Sequence, residues 1–302
     1  MTRAGGERTV EIPERIDLNY TIKGAKNPVM VGPSANLWST RTPAGTATLY
    51  LERNGSQARG QAWGEGSEWI LEQMPSLLGL RDDLTGFEPD GKVARAFARR
   101  PFRLSRSDRP WDALIGAILG QKVQVTKAVQ SRRAIARRFG DPAPGPEIPG
   151  RRRGNVLPSP ETIGSLGYSD LHTCGIERKR AEILIRTARE MRRLDSLWEK
   201  EPVVIRTRLE RIRGIGPWTS NMVTAVAFGD PDAVPVGDFH IPNNVAWWLA
   251  GEDRASDRRM LELLEPYRGH RWRVVRMAKS SGSAPRYGAR LSLTSDGMTR
   301  GR

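Results

Sequence analysis

LERIRGIGPWTSNMV (residues 209–223) is the stretch on which the fold turns. Leu209 and Ile212 lie three apart, the spacing of one helix face, and close a helix. Gly214-Ile215-Gly216 makes a turn too tight for most side chains. Pro217 opens a second helix at its first position, where its missing N–H costs nothing. Ile215 is placed to tuck between the two helices. The amides at the start of the second helix point outward, and two glycines without Cβ let a phosphate approach the backbone. Such a contact is blind to base sequence and suits a protein that scans DNA. G-x-G alone also reads as an ordinary helical turn with a glycine C-cap. The flanking apolar spacing, Pro217 and the helical surroundings favour the phosphate-binding reading.

The charge agrees with it. The 302 residues carry a net charge of +15, with a pI near 10.7. All but eight of the 49 basic residues are Arg, which suits bidentate phosphate contact, although a GC-rich genome also inflates Arg. One cysteine, Cys174, excludes an intramolecular disulfide framework and any all-cysteine iron–sulfur or zinc site. The three histidines, His172, His240 and His270, are too dispersed to suggest a structural metal cluster. No apolar run approaches the ~18 residues of a membrane-spanning helix. The start, MTRAGGERTVEIPERI, lacks the apolar core of a secretory signal. A reducing cytoplasm is expected.

Upstream and downstream the pattern divides. Residues 35–40, 46–51 and 57–64 read as short strands, with the hairpin signal Asn54-Gly55 between the last two. Ile70, Met74, Leu77 and Leu78 mark one helix face, with Ser67 as its N-cap and Gly79 as its stop. Another short helix is expected around Lys92–Arg99. From Pro110 the chain becomes all helical. Trp111, Leu114, Ile115, Ile118 and Leu119 mark one helix. Val125, Val129, Ala136 and Phe139 mark the next, with Arg132, Arg133, Arg137 and Arg138 on or near its polar side. Further helices are expected at Glu161–Leu166, Glu177–Leu194, Val203–Ile212, Pro217–Phe228, Asn243–Leu249 and Arg258–Leu264. Residues 141–160, rich in proline and containing Arg151-Arg152-Arg153, read as a long loop. The expected organisation is a mixed α+β domain over 1–105 with a small antiparallel sheet, an all-α domain over 106–277, and a basic, flexible tail over 278–302.

The hairpin resembles the helix–hairpin–helix. About twenty residues on, VPVGDFHIPN (234–243) resembles the Gly/Pro loop ending in Asp that follows this hairpin in the helix–hairpin–helix DNA glycosylase superfamily. WDALIGAILGQKVQV (111–125) is similar to the helix pair that carries the DNA-intercalating loop of these enzymes. CGIERKRAEIL (174–184), EPYRGHRWRVVRM (265–277) and TRTPAGTATLYL (40–51) resemble the bacterial alkylation-repair branch, 3-methyladenine DNA glycosylase II. The resemblance runs over most of residues 15–277.

That resemblance implies a monofunctional enzyme that flips and hydrolytically excises alkylated purines, with Asp238 as its catalytic carboxylate. The plain alternative for Asp238 is a helix N-cap, and the two roles are compatible. Glycosylase/lyases of the superfamily carry a nucleophilic Lys two residues after the second hairpin glycine, where this chain has Trp218. Trp218, Met222 and Phe239 are the base-pocket candidates. Trp218 and Phe239 would stack on an electron-poor base, and Met222 would supply a soft wall; packing is the rival role for each. Gly214, Ile215 and Gly216 form the phosphate hairpin. Gln121 and Lys122 stand at the intercalating loop, where Lys122 replaces a common apolar wedge and also reads as a solvated residue. Lys279-Ser280-Ser281 falls where relatives carry a distal pocket Trp. The implied partner is double-stranded DNA containing damaged bases, with no cofactor, no metal and no membrane. A monomer in the bacterial cytoplasm, associated with the nucleoid, is expected. The rivals are a related glycosylase for deaminated or mismatched bases and a non-catalytic helix–hairpin–helix DNA-binding protein.

Overall fold

Side chains along residues 6–11 and 57–62 alternate between more and less covered, as strands with one packed face require. In the computed structural model, residues 5–24, 29–32, 35–146, 154–282 and 284–285 are described. Strand β1 (Gly6–Glu11) and helix α1 (Leu18–Lys23) precede β2 (Val29–Gly32), β3 (Ala35–Thr42), β4 (Gly45–Asn54) and β5 (Gln57–Trp63). The strands form one antiparallel sheet in the order β1-β5-β4-β3-β2. Asn54 pairs with Gln57, so the turn residues are Gly55 and Ser56 rather than Asn54-Gly55, and Gly55 takes the positive φ of +60°.

Trp38, Leu49, Leu51, Ala58 and Ala62 of the sheet share a core with α2 (Ser67–Glu72) and α3 (Met74–Leu77). The single helix expected here is two. Pro75 cannot donate to the turn before it, so α2 ends ahead of it and α3 restarts with Pro75 in its first turn. Gly66, not Ser67, is the N-cap of α2. Ile70, Met74, Leu77 and Leu78 are all buried despite the break.

The second core is helical. After α4 (Gly91–Arg99) come α5 (Pro110–Leu119), α6 (Val125–Phe139), α7 (Pro160–Ser165), α8 (Tyr168–His172), α9 (Arg178–Glu190) and a 3-10 segment, Met191–Leu197. Then follow α10 (Pro202–Leu209), α11 (Pro217–Ala227), α12 (Ile241–Ala250), α13 (Asp257–Leu264), a 3-10 turn, Glu265–Tyr267, and α14 (Arg271–Ser280). Helices α5 and α11 are apolar on nearly every side, and they pack against each other at the centre. Val93, Phe102 and Leu104 are buried in this core although they precede residue 105.

Some expectations are corrected. Val125 and Val129 stand exposed; the inward face of α6 is Ser131 and Ile135. Arg132 turns inward toward Asp112 of α5, and burial pushes its pKa down. An apolar stripe does not reveal which side of a helix has a neighbour. The weakly patterned β1, β2, α1 and α8 went unread, as did α14, whose arginines disguise a buried helix. Thus residues 278–280, assigned to a flexible tail, end α14; residues 286–302 lie outside the described residues. In the long loop, Val156 N–H donates to the Asp141 carbonyl and Ala143 N–H to that of Gly154, both at 2.9 Å. Its 151–153 arginine run lies outside the described residues.

Candidate active site

The turn between α10 and α11 is built from its small residues. Leu209, Ile212 and Ile215 are buried, and Ile215 N–H donates to the Ile212 carbonyl at 2.9 Å. The two glycines are present for different reasons. Gly214 has φ +100°, and a Cβ there would lie 2.4 Å from Ile183 Cγ1, so the fold itself demands it. Gly216 has an ordinary φ of −112°, and a Cβ there would meet nothing within 4 Å. Neither backbone conformation nor close packing requires glycine at 216. Gly216 is also the N-cap of α11 and supplies no side-chain cap, which leaves the first-turn amides available to an outside acceptor.

Asp238 lies where the loop after α11 meets α12. Its Oδ1 accepts from His240 N–H (2.8 Å) and Ile241 N–H (2.9 Å), which caps the start of α12. Its Oδ2 accepts from Trp218 Nε1 at 2.8 Å. The carboxylate is therefore held by three N–H donors. It is half-buried. Gly237 precedes it at φ +87°, its N–H donating to Asp257 Oδ2 at 3.0 Å. The indole of Trp218 lies against the end of α5: a Cβ on Gly120 would approach Trp218 Cη2 to 3.3 Å. The hairpin, the end of α5 and the Asp238 loop thus converge on one side chain.

The other candidates divide. Gln121 does not project freely from its loop. Its Nε2 donates to the Gly214 carbonyl (3.0 Å) and to Thr219 Oγ1 (2.9 Å), which locks the α5–α6 turn onto the hairpin. Gln121 keeps the place the resemblance assigns to it in the α5–α6 loop, with its side chain tied to the hairpin. Lys122 is exposed in the left-handed region, φ +52°, a strained backbone for a residue with a side chain. Met222, one turn after Trp218, is buried in the helical core at 3% exposure and presents no wall to an open pocket. Phe239 is 80% exposed beside Asp238, its ring edge-on to His240 with centroids 4.8 Å apart. It stands at the mouth of the site rather than in a closed pocket. Among the described residues no group of three His, Cys, Asp or Glu side chains could hold a metal ion. Cys174 is buried, which pushes its thiol pKa up.

The residue pattern does not reveal that Ser220 Oγ donates to Glu210 Oε1 at 2.6 Å, bracing the two helices across the hairpin, nor that Gln121 reaches the hairpin, because spacing does not mark the distant partner of a polar side chain.

Residues 115–268, about half of the chain, match the family described as HhH-GPD superfamily base excision DNA repair protein. The Bacillus subtilis protein YfjP is 32% identical over 117 residues, spanning 36% of this chain and 41% of YfjP. The DNA-3-methyladenine glycosylase of Bacillus subtilis is 26% identical over 224 residues, covering 69% of this chain and 73% of that one. Among solved structures, the 3-methyladenine DNA-glycosylase from Archaeoglobus fulgidus superimposes with a TM-score of 0.74 at 20% identity. That alignment covers 91% of this chain and 98% of the other. At that identity the likeness speaks for the fold alone.

Proposed function

The chain belongs to the HhH-GPD superfamily of base excision DNA repair proteins, and from that premise we propose that it is a monofunctional DNA glycosylase. It takes alkylated purines of the 3-methyladenine type out of double-stranded DNA. The observation that carries the reading is the Asp238 carboxylate, fixed by three N–H donors beside the outward-facing hairpin. The relatives named for 3-methyladenine support the substrate class.

Breaking an N-glycosidic bond builds positive charge on the deoxyribose. A purine alkylated at N3 or N7 is already cationic and leaves as a neutral base. The enzyme then needs chiefly to flip the base and hold an anion beside the sugar. Asp238 serves that purpose, its three donors holding it still. Trp218 offers an indole face to the electron-poor base while its Nε1 orients the carboxylate. Hairpin amides grip a phosphate without reading sequence, and Lys122 lies at the loop nearest the hairpin.

Two outcomes test this reading. The release assay is run on duplexes carrying 3-methyladenine or 7-methylguanine, with borohydride present. Free base is released and no covalent complex forms, because Trp218 stands where lyases carry their amine. A trapped adduct that persists in Lys122→Ala would sink the monofunctional reading. The hairpin is tested by its two glycines. Gly216→Val costs no more than about 1 kcal/mol of stability, the loss of a good N-cap residue, and weakens binding to every duplex alike. Gly214→Val destabilises by about 1–3 kcal/mol through its backbone strain and the contact with Ile183. Binding of undamaged duplex by the unaltered chain falls steeply as salt rises. Salt-independent affinity, or a Gly216→Val protein that binds normally, refutes the phosphate role.

A further inference from the structure

The hairpin is braced from several sides, whereas one side chain ties the α5–α6 turn to it. Within the hairpin, Ile215 N–H donates to the Ile212 carbonyl and Ser220 Oγ to Glu210 Oε1. From outside, Arg186 of α9 donates to the Arg213 carbonyl at 2.8 Å, and Ile183 of the same helix packs against Gly214. The turn, residues 120–124, has a single side-chain tie to the hairpin among the described residues. This is Gln121 Nε2, which donates to the Gly214 carbonyl (3.0 Å) and to Thr219 Oγ1 (2.9 Å). The two acceptors bracket the outward-facing start of α11: Gly214 lies two residues before Gly216, and Thr219 three after it. Next along the turn is Lys122, exposed, with φ +52°. The other described non-glycine residue at positive φ, Asp108, has its side chain bonded by Arg106 and its N–H by the Ala227 carbonyl. The Lys122 side chain makes no hydrogen bond or ion pair among the described residues. A left-handed backbone is unfavourable for a residue with a Cβ and persists only where flanking structure imposes it. Gln121 imposes it from the hairpin side, and the start of α6 from the other.

We propose that Gln121 is the positioning residue of base flipping: its amide fixes the turn that presents Lys122 to the base stack, and so couples capture of a phosphate by the hairpin to displacement of the base beside it. The proposal rests on the chain being a glycosylase, which must take a base out of the stack to reach its sugar. A flipped base leaves a gap, and the gap closes again unless a side chain fills it. The four-carbon stem of Lys122 can enter it while the ammonium stays at a phosphate or in water. An unanchored lysine would spend most of its time elsewhere, because its rotamer freedom is among the largest of any side chain. The Gln121 tie sets the backbone of Lys122 before DNA arrives, which removes part of that ordering cost from the flipping step. The same turn rests on the indole that holds Asp238, since a Cβ on Gly120 would lie 3.3 Å from Trp218 Cη2. One connected set of contacts thus links the phosphate-facing amides, the carboxylate and Lys122.

The experiment uses the full chain, Gln121→Met, Gln121→Glu, Lys122→Ala and the double variant Gln121→Met with Lys122→Ala, each checked by thermal unfolding. Met keeps the length of glutamine without a donor; Glu keeps its shape and turns an acceptor toward the Gly214 carbonyl. Three quantities are read. They are the affinity for undamaged duplex with its salt dependence, the fluorescence of 2-aminopurine placed beside an abasic-site analogue, which reports insertion into the stack, and single-turnover release of 7-methylguanine at saturating protein. Both Gln121 variants slow insertion and release by about 10-fold, the loss of two neutral hydrogen bonds that hold one conformation. They leave duplex affinity and its salt slope within about twofold, because the hairpin keeps its own braces. The double variant is no slower than Lys122→Ala alone, since a residue that acts only through Lys122 has nothing left to position. Lys122→Gly probes the strain without touching Gln121. It slows insertion as Lys122→Ala does, yet unfolds at a higher temperature than Lys122→Ala. The proposal is overturned if Gln121→Met weakens duplex binding as much as it slows release, which would make Gln121 a brace of the hairpin alone. It is equally overturned if the two single effects multiply in the double variant, if both Gln121 variants insert and release at the unaltered rate, or if Lys122→Gly unfolds no later than Lys122→Ala. An unaltered chain that inserts at the abasic analogue but releases no 7-methylguanine fails as a glycosylase of this lesion, and the fluorescence of the Gln121 variants still decides the role of Gln121.

Discussion

Asp238→Asn lowers the single-turnover release of 3-methyladenine or 7-methylguanine by about 10²–10³-fold. That corresponds to roughly 3–4 kcal/mol, the usual loss when one preorganised electrostatic partner of a transition state is removed. The cause is the missing charge beside a sugar that becomes cationic as the bond breaks. The substitution also touches stability. The carboxylate offers one oxygen to the α12 amides and the other to Trp218 Nε1. Asparagine has a single acceptor oxygen, so it keeps either the cap or the indole bond, and its amide then faces a donor. The expected cost is about 1 kcal/mol, one hydrogen bond at a half-buried site. Binding to an abasic-site analogue persists, because the hairpin holds the phosphates. Base release, analogue binding and thermal unfolding measured together separate the two effects. An Asn variant that folds, binds and still releases base at nearly the unaltered rate removes Asp238 from the mechanism and reduces it to a cap.

Asp82→Ala destabilises the protein by about 3–5 kcal/mol, the usual result of stranding one partner of a buried ion pair. Arg273, in the middle of α14, is fully buried, and its two terminal nitrogens donate to Asp82 at 2.7 and 2.9 Å. It also donates to the Asp83 carbonyl at 3.2 Å and lies over the Phe87 ring. Asp82 Oδ2 accepts from Leu104 N–H at 2.9 Å as well. Removing the carboxylate leaves a guanidinium in the core with no counter-charge and leaves that amide unmet. Denaturant unfolding measures the loss. The double variant Asp82→Ala with Arg273→Met recovers most of it, since the stranded charge, not the lost attraction, carries the cost. A loss below about 1 kcal/mol for Asp82→Ala would mean that water reaches the pair.

Much of this molecule was legible residue by residue. The Gly-Ile-Gly turn with Pro217 behind it, the strands at 35–42, 45–54 and 57–63, and most helix positions follow from preferences confined to a few neighbouring residues. So does Asp238 as a cap, because a carboxylate ahead of a helix start bonds its own local amides. Boundaries fared less well where a local device intervened, as at Pro75, or where the register of a turn shifted by one residue, as at Gly55.

Relations between distant segments were not legible, and the reason is physical. Hydrophobic periodicity says that a face is buried, not what buries it; Val125 and Val129 have helical spacing and stand exposed, while Met222, read as a pocket wall, is buried in the core. Arg273 meets Asp82 across 191 positions and Gln121 meets the hairpin across 93, contacts that leave no trace in spacing. Sequence by itself determined the fold class, the Gly-Ile-Gly hairpin and the carboxylate that follows it, since each is written in short-range backbone chemistry. Only the tertiary structure decided that Gln121 serves the hairpin and that Trp218 orients Asp238. A polar side chain has many possible partners, and packing alone selects the one within reach.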